Sequence, residues 1–291
     1  MILKNKKSYI SILVIFLSVI NIYAKDFKKT EDIINSILNE PAKKYKQNQE
    51  TPKDKNIIPE KSEKEDKDSG DKDAPIVSKA DEVLYKTGIQ FYNSEQYAQA
   101  MKNFEELKSK FSKSQYLDSS KIWIGKIKNK DYKYDDAIRE FSGVGIDSGE
   151  YPAALYLTGE SYQFKRDNLT SLEYFEKVSS QFPQHDLADK AILKMVKIYM
   201  DNKNGTQALY SAVKIIKYYP TKDTVDDAYY FLGKIYEKDP SFLDIETARK
   251  FYRLFLKKAA AGDPLFVKSP LLKRVESDLK RLERDFFNLE K

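Results

Sequence analysis

The feature that most restricts how this chain can fold is a recurrence of 34 to 37 residues. Gly88, Gly125, Gly159, Val196 and Gly233 stand at spacings of 37, 34, 37 and 37. A small residue recurs as Ala100, Ala137, Ser171, Ala208 and Ala248, and four residues after each comes Phe104, Phe141, Phe175, Ala212 or Tyr252. Residues 151–183 show the unit most plainly. Leu155, Leu157, Gly159 and Tyr162 mark one amphipathic helix and Leu172, Phe175 and Val178 a second, with the polar turn 165–168 between them. Gly159 would let the second helix come close, Phe175 would fill the space between the two, and Pro183 cannot sit in a helix interior. Phe182-Pro183 and Tyr219-Pro220 close two of the copies. A fixed period of this length predicts a helical solenoid.

These positions resemble the tetratricopeptide repeat, whose G-x2-Y, A-x3-F and P positions they match from about residue 80 to 260. The departures are Val196, Ala212, Lys128 in place of a tyrosine, and an insertion near 239–244. The resemblance implies an all-α fold, a right-handed superhelix of about five hairpins. More narrowly, the copies DDAYYFLGKIYEKD and YFEKVSSQFP resemble the envelope group of such proteins that includes BamD and CpoB (YbgF), which implies a non-enzymatic adaptor in outer-membrane or cell-wall assembly. In this fold the first helix of each hairpin lines the concave face. By resemblance the groove positions here are Tyr85, Ile89 and Tyr92, then Ile122, Lys126 and Lys130, then Tyr156, Glu160 and Gln163, then Leu193, Lys197 and Met200, and last Tyr230, Lys234 and Glu237. Lys126, Lys197 and Lys234 each follow the glycine position by one residue, so they should form a row that steers an extended peptide or acidic chain. The alternative is a solvated lysine row. The lysine and asparagine set of the chaperone-binding carboxylate clamp is absent.

Residues 1–24 have a basic start, an apolar run from 10 to 22 and a small residue at Ala24, the layout of a secretory signal peptide. The run is short for a membrane span, which needs about 20 residues. The expected location is therefore the periplasm, with an uncleaved inner-membrane anchor as the alternative and the only membrane contact. The chain has no cysteine, which excludes disulfides, thiol sites and a lipid-bearing cysteine. Setting aside Lys4, Lys6 and Lys7 of the leader lowers the net charge from +6 to +3, too small an excess to imply nucleic acid.

Residues 25–40 read as a short amphipathic helix, with Thr30 as N-cap, acidic Glu31 and Asp32 in the first turn, and Ile33, Ile34, Ile37 and Leu38 on one face. A helix this short is marginal alone, so it should either dock on a partner or pack back on the body. Residues 41–78 are rich in Lys, Glu, Asp and Pro with little apolar content, and read as a disordered charged linker. The solenoid is expected over 79–261 and a capping helix within 262–291. Ser269-Pro270 signals the start of that helix, and Leu272, Val275, Leu279, Leu282, Phe286 and Leu289 form its apolar stripe. A coiled-coil dimerisation helix would carry the same stripe.

Chemistry is poorly provided for. His185 is the single histidine, so zinc sites of several His or Cys ligands are excluded and only one catalytic pair could be built. Asp135-Asp136 and Asp226-Asp227 open helices, where the dipole accounts for them. The glycine-rich stretch 143–150 lacks phosphate-loop spacing and reads as an inter-repeat turn. No enzyme activity, cofactor or metal is expected. The expected function is a scaffold for envelope proteins. The alternative is a module that binds a glycan or small ligand on the groove tyrosines.

Overall fold

The structure is a computed structural model that describes residues 30–39 and 79–287. The expected leader at 1–24, the expected linker at 41–78 and Leu289 of the expected stripe lie outside the described residues. All regular structure among the described residues is helical, and the chain divides into two compact units.

The first unit holds α2 (Lys79–Asn93), α3 (Tyr97–Lys110), α4 (Leu117–Lys130), α5 (Tyr134–Ser142) and α6 (Tyr151–Phe164). The second holds α1 (residues 30–38), α7 (Asn168–Gln181), α8 (Ala188–Asp201), α9 (Gly205–Tyr218), α10 (Val225–Lys238), α11 (Ile245–Ala260), α12 (Pro264–Val267) and α13 (Leu272–Phe287). Within each unit, helices adjacent in the chain pack on one another as stacked hairpins.

The recurring residues explain the hairpins. A β-carbon added at Gly88 would meet Phe104 Cε1 at 2.6 Å, one at Gly125 would meet Phe141 Cζ at 2.6 Å, and one at Gly233 would meet Tyr252 Cδ1 at 2.8 Å. The glycine is thus the floor on which the ring of the second helix lies, and the three rings are almost fully buried. In the fourth repeat the two sizes are exchanged. Val196 brings the bulk from the first helix and Ala212 supplies the space on the second, and both are completely buried. The two departures from the pattern compensate for each other.

The turns repeat as well. Glu95, Tyr132 and Lys203 each take a left-handed backbone (φ 58°, 62° and 56°). The following amide reaches back five residues, from Gln96 to the Phe91 carbonyl, Lys133 to Lys128, and Asn204 to Tyr199, at 2.8 to 2.9 Å. This is the Schellman closure of a helix. The second helices of three repeats end instead on an aromatic C-cap outside the helical region, Phe111, Phe182 and Tyr219, and proline follows two of them.

Asp81, Asp118, Asp189 and Asp226 each stand seven residues before the glycine position, and each joins its repeat to the start of the next. Asp81 accepts from the Ser114 hydroxyl at 2.6 Å, Asp118 from the Gly145 amide at 3.3 Å, and Asp189 from the Thr224 hydroxyl at 2.8 Å, while Asp226 is bonded to Ser269. The dipole account of Asp226 is therefore incomplete. Burial pushes its carboxyl above the usual range even though Ser269 stabilises the charge.

Two expectations about the ends are refined. The α13 stripe buries Val275 and Leu282 and packs Leu272 and Leu279, but Phe286 points to solvent at 58% exposure and Phe287 takes its place against the core. Arg249 lies 3.9 Å from the Phe287 ring centroid, which fixes that turn. The short helix α12 was not expected. Asp263 caps it by accepting from the Leu265 amide at 3.1 Å, and it inserts Phe266 edge-on against Tyr229 and Phe255. At the other end of the chain, Ile34 and Ile37 of α1 are buried in the core of the second unit, with Ile33 and Leu38 packed against it.

Candidate functional site

In the first unit the expected groove residues Tyr85 and Tyr92 of α2 form one aromatic surface with Trp123, Tyr97 and Tyr116, three rings that the repeat pattern alone does not place there. Tyr92 lies 4.7 Å from Trp123 and 5.3 Å from Tyr97, centroid to centroid, and Tyr85 stacks on Tyr116 at 4.7 Å. The Trp123 Nε1 donates to the Tyr85 hydroxyl at 3.4 Å. Tyr85, Tyr92, Tyr97, Tyr116 and Trp123 are all half-buried, so each ring is held by neighbours while part of it meets solvent. Ile89 supports them from the cluster around Phe104.

Two lysines edge this surface. Lys126 Nζ lies 4.1 Å from the Trp123 ring centroid, and Lys130 Nζ lies 4.9 Å from that of Tyr97. Burial pulls the Lys126 ammonium below the usual lysine range against the opposing pull of Glu150 and Glu160. Lys130 is exposed, and its hydrogen bond to Tyr97 and the nearby Tyr92 raise it. Tyr156 and Gln163 are half-buried on α6 in the same unit. Ile122 is not on this surface. It is 4% exposed and packs with Ala137 and Phe141, so Trp123, the next residue, takes the outward place. The sequence signal for Trp123 was its being the only tryptophan. Tyr97 and Tyr116 carried no comparable signal, because one sits on a second helix and the other in a loop.

The corresponding positions of the second unit differ. Tyr230 and Lys234 are 4% and 8% exposed, which corrects their expected place on an open groove. The cause is α13. Its Asp278 accepts from the Tyr230 hydroxyl at 3.1 Å and lies 3.4 Å from Lys234 Nζ. Lys234 also pairs with Glu237 at 3.1 Å, and Glu237 accepts from Arg281 at 2.6 Å and from the Tyr252 hydroxyl at 2.7 Å. Burial opposes ionisation of Glu237, but the bonds from Tyr252 and Arg281 and the Lys234 charge hold its carboxyl below the usual range. Burial lifts the Tyr230 hydroxyl, and the Asp278 charge lifts it further, to about 12. A glutamate at 234 would place a third buried carboxylate beside Glu237 and Asp278, which already share Arg281, so reversing the three-lysine row is a folding lesion as well as a surface change. Lys197 is exposed, 3.8 Å from Asp227 and 5.6 Å from the Phe231 ring. Only Lys126, Lys130 and Lys197 of the named lysines remain at the surface.

The His185 Nδ1 accepts from the Leu187 amide at 3.2 Å, which fixes it as a turn residue. It borders an open cleft of about 560 Å³ together with Lys214, Tyr218, Tyr219 and Lys222. Among the described residues no group of three or more His, Cys, Asp or Glu is placed to hold a metal ion. No described helix is long and apolar enough to cross a membrane.

Comparison with known proteins places these observations. Residues 149–259 match the model of the YfiO family, described as an outer membrane lipoprotein, and residues 82–114 match a tetratricopeptide repeat model. Among solved structures, the MamA protein is 14% identical, with a TM-score of 0.51 over 63% of this chain and 94% of that one. A tetratricopeptide repeat protein from Parabacteroides merdae is 11% identical, with a TM-score of 0.50 over 74% of this chain and 81% of that one. These two likenesses bear on the fold. No curated protein matched this chain.

Proposed function

We propose that this tetratricopeptide-repeat chain, which resembles the BamD type over residues 149–259, is a periplasmic adaptor that holds envelope proteins together without catalysis. Repeat proteins of this kind are scaffolds for protein–protein interaction. What supports the envelope assignment is the YfiO match together with the leader-like start of the sequence.

The observation that carries the binding role is the surface of Tyr85, Tyr92 and Trp123 edged by Lys126 and Lys130. Its rings are already held in place by one another, so a partner would not have to order them. Aromatic residues dominate the energetics of protein interfaces, and lysines at the edge steer an acidic segment onto it. The matching segment is therefore a peptide with apolar and acidic side chains. One face of Tyr85 is covered by the stacked Tyr116 ring, and Tyr92 is wedged at steep angles between Trp123 and Tyr97, which leaves less area for a stacked sugar than the glycan alternative needs.

The test uses residues 25–291 as bait in solubilised envelopes, beside a Lys126→Gln, Lys130→Glu variant whose helicity is checked first. The expected result is a specific envelope protein held by the parent bait and depleted at least several-fold on the variant. Equal recovery on both baits, with the variant folded, would remove this surface from the account.

A further inference from the structure

Two of the repeats close on an aromatic followed by proline, Phe182-Pro183 and Tyr219-Pro220, and both turns belong to the second unit. The first repeat closes on Phe111-Ser112 instead, and no such pair stands between α5 and α6. Residues of the two proline turns line the open cleft of about 560 Å³ that His185, Lys214 and Tyr218 border. We infer that this cleft is a second binding site, which receives a carboxylate side chain of an acidic peptide segment and lays the apolar residue beside it on Tyr218.

The walls of the cleft are held before anything binds. The Tyr219 hydroxyl donates to the Pro183 carbonyl at 3.0 Å, and Lys222 Nζ lies 2.7 Å from the Asp186 carboxylate, so each turn is bonded to the one a repeat away. Within the turns, the His185 amide donates to the Phe182 carbonyl at 3.0 Å and the Lys222 amide to the Tyr219 carbonyl at 3.1 Å. A ligand therefore meets a shape it does not have to order. The volume also falls within the roughly 300 to 1,000 Å³ of clefts that hold small ligands.

The polar groups left over are donors. His185 Nδ1 accepts from the Leu187 amide, so the neutral ring carries its proton on Nε2, which makes no hydrogen bond among the described residues. Lys214 has no ion-pair or hydrogen-bond partner among them either, although it is half-buried. Lys222 is already spent on Asp186, and Lys217 Nζ lies 4.9 Å from the Tyr218 ring centroid. None of the described residues lining the cleft is acidic, and the Pro183 carbonyl is taken by Tyr219. A sugar, whose hydroxyls donate as well as accept, is poorly served by such a lining, whereas a carboxylate only accepts. One free ammonium matches the single charge of a carboxylate better than the double charge of a phosphate group. Pro183, Pro220 and the Tyr218 ring, which is 62% exposed, supply the apolar contact for the neighbouring residue.

His185 is the only histidine, so its imidazole gives a single set of magnetic resonance signals, and that set reports on the cleft. The test titrates the untagged 25–291 chain, isotopically labelled at histidine, with an excess of a capped Glu-Phe-Glu peptide at fixed pH. Gln-Phe-Gln and inorganic phosphate are titrated in parallel. The expected result is a saturable shift of the His185 signals with Glu-Phe-Glu and binding weaker by about tenfold or more with Gln-Phe-Gln, as the loss of a charge-assisted hydrogen bond requires. Lys214→Gln should weaken Glu-Phe-Glu by a similar factor, and Lys214→Arg should restore it. No saturable shift, or equal affinity for the two peptides, would overturn the inference on the parent chain alone. So would a folded Lys214→Gln variant that binds like the parent. Phosphate bound more tightly than Glu-Phe-Glu would overturn the carboxylate assignment in favour of a phosphorylated ligand. Because His185 lies in the second unit, each of these outcomes is independent of whether the aromatic surface of the first unit holds a partner.

Discussion

Replacing Gly125 by alanine sets two physical effects of opposite sign against each other. In a helix interior, alanine is better than glycine by about 1 kcal/mol. Here the new β-carbon would stand 2.6 Å from Phe141 Cζ and 2.8 Å from Cδ1, about an ångström inside normal contact. The ring cannot easily yield, since Phe141 is 2% exposed and enclosed by Ile122, Ala137, Val144 and Ala154. Overpacking of this kind costs about 1 to 3 kcal/mol. The net expectation is a loss of up to about 2 kcal/mol. With a urea dependence of about 1 kcal/mol per molar for a unit of this size, the midpoint should fall by up to about 2 M. Trp123, two residues away on the same helix and the only tryptophan, is the natural fluorescent reporter. Adding Phe141→Leu should make the alanine less harmful than it is alone. A Gly125→Ala variant more stable than the parent would show that propensity alone governs this position, and would refute the packing account of the repeat.

Three further outcomes follow from the second unit. A double-mutant cycle of Val196→Gly and Ala212→Phe should give two destabilised single variants and a favourable coupling of about 1 kcal/mol or more, read from urea midpoints. Tyr252→Phe removes a 2.7 Å bond to buried Glu237 and should cost about 1.5 to 2 kcal/mol at pH 7. The folded-state pKa of Glu237 is depressed, so its stabilising contribution is present above the unfolded value of about 4.3 and is lost as pH falls through the folded value; the cost of the substitution should shrink there, and a pH-independent loss would contradict it. Thr224→Val leaves both oxygens of fully buried Asp189 without a side-chain partner among the described residues, and should cost about 2 to 4 kcal/mol by thermal or urea unfolding.

How much was legible in the sequence depended on whether a property is local to one face of one repeat. Gly88, Gly125 and Gly233 were readable because a glycine opposite an aromatic is a pairwise requirement that recurs at fixed phase. Val196 and Ala212 looked like two separate departures, and only their shared burial between the packed helices α8 and α9 makes them one exchange of volume. Asp81, Asp118, Asp189 and Asp226 carried an equally regular signal, with Pro152 breaking it once, but only Asp226 was singled out, and there the helix dipole offered a sufficient local reason that hid its bond to Ser269. Periodicity placed Tyr230 and Lys234 on the right helix face. It could not say that α13 covers that face, because the covering groups Asp278 and Arg281 lie more than 40 residues away and belong to no repeat. The shift from Phe286 to Phe287 has the same origin, since only the stacking of Arg249 on Phe287 decides which of two adjacent rings turns inward.

The central claim is that the partner is held on the open aromatic surface of the first unit and not at the end sealed by α13. The most direct measurement is site-specific photo-crosslinking in intact cells, with the crosslinking residue at position 130 or, in a separate strain, at Lys273 on the exposed face of α13. The account predicts one discrete adduct with an envelope protein from position 130 and none from 273. An adduct from 273 alone would contradict it and move recognition to the C-terminal end.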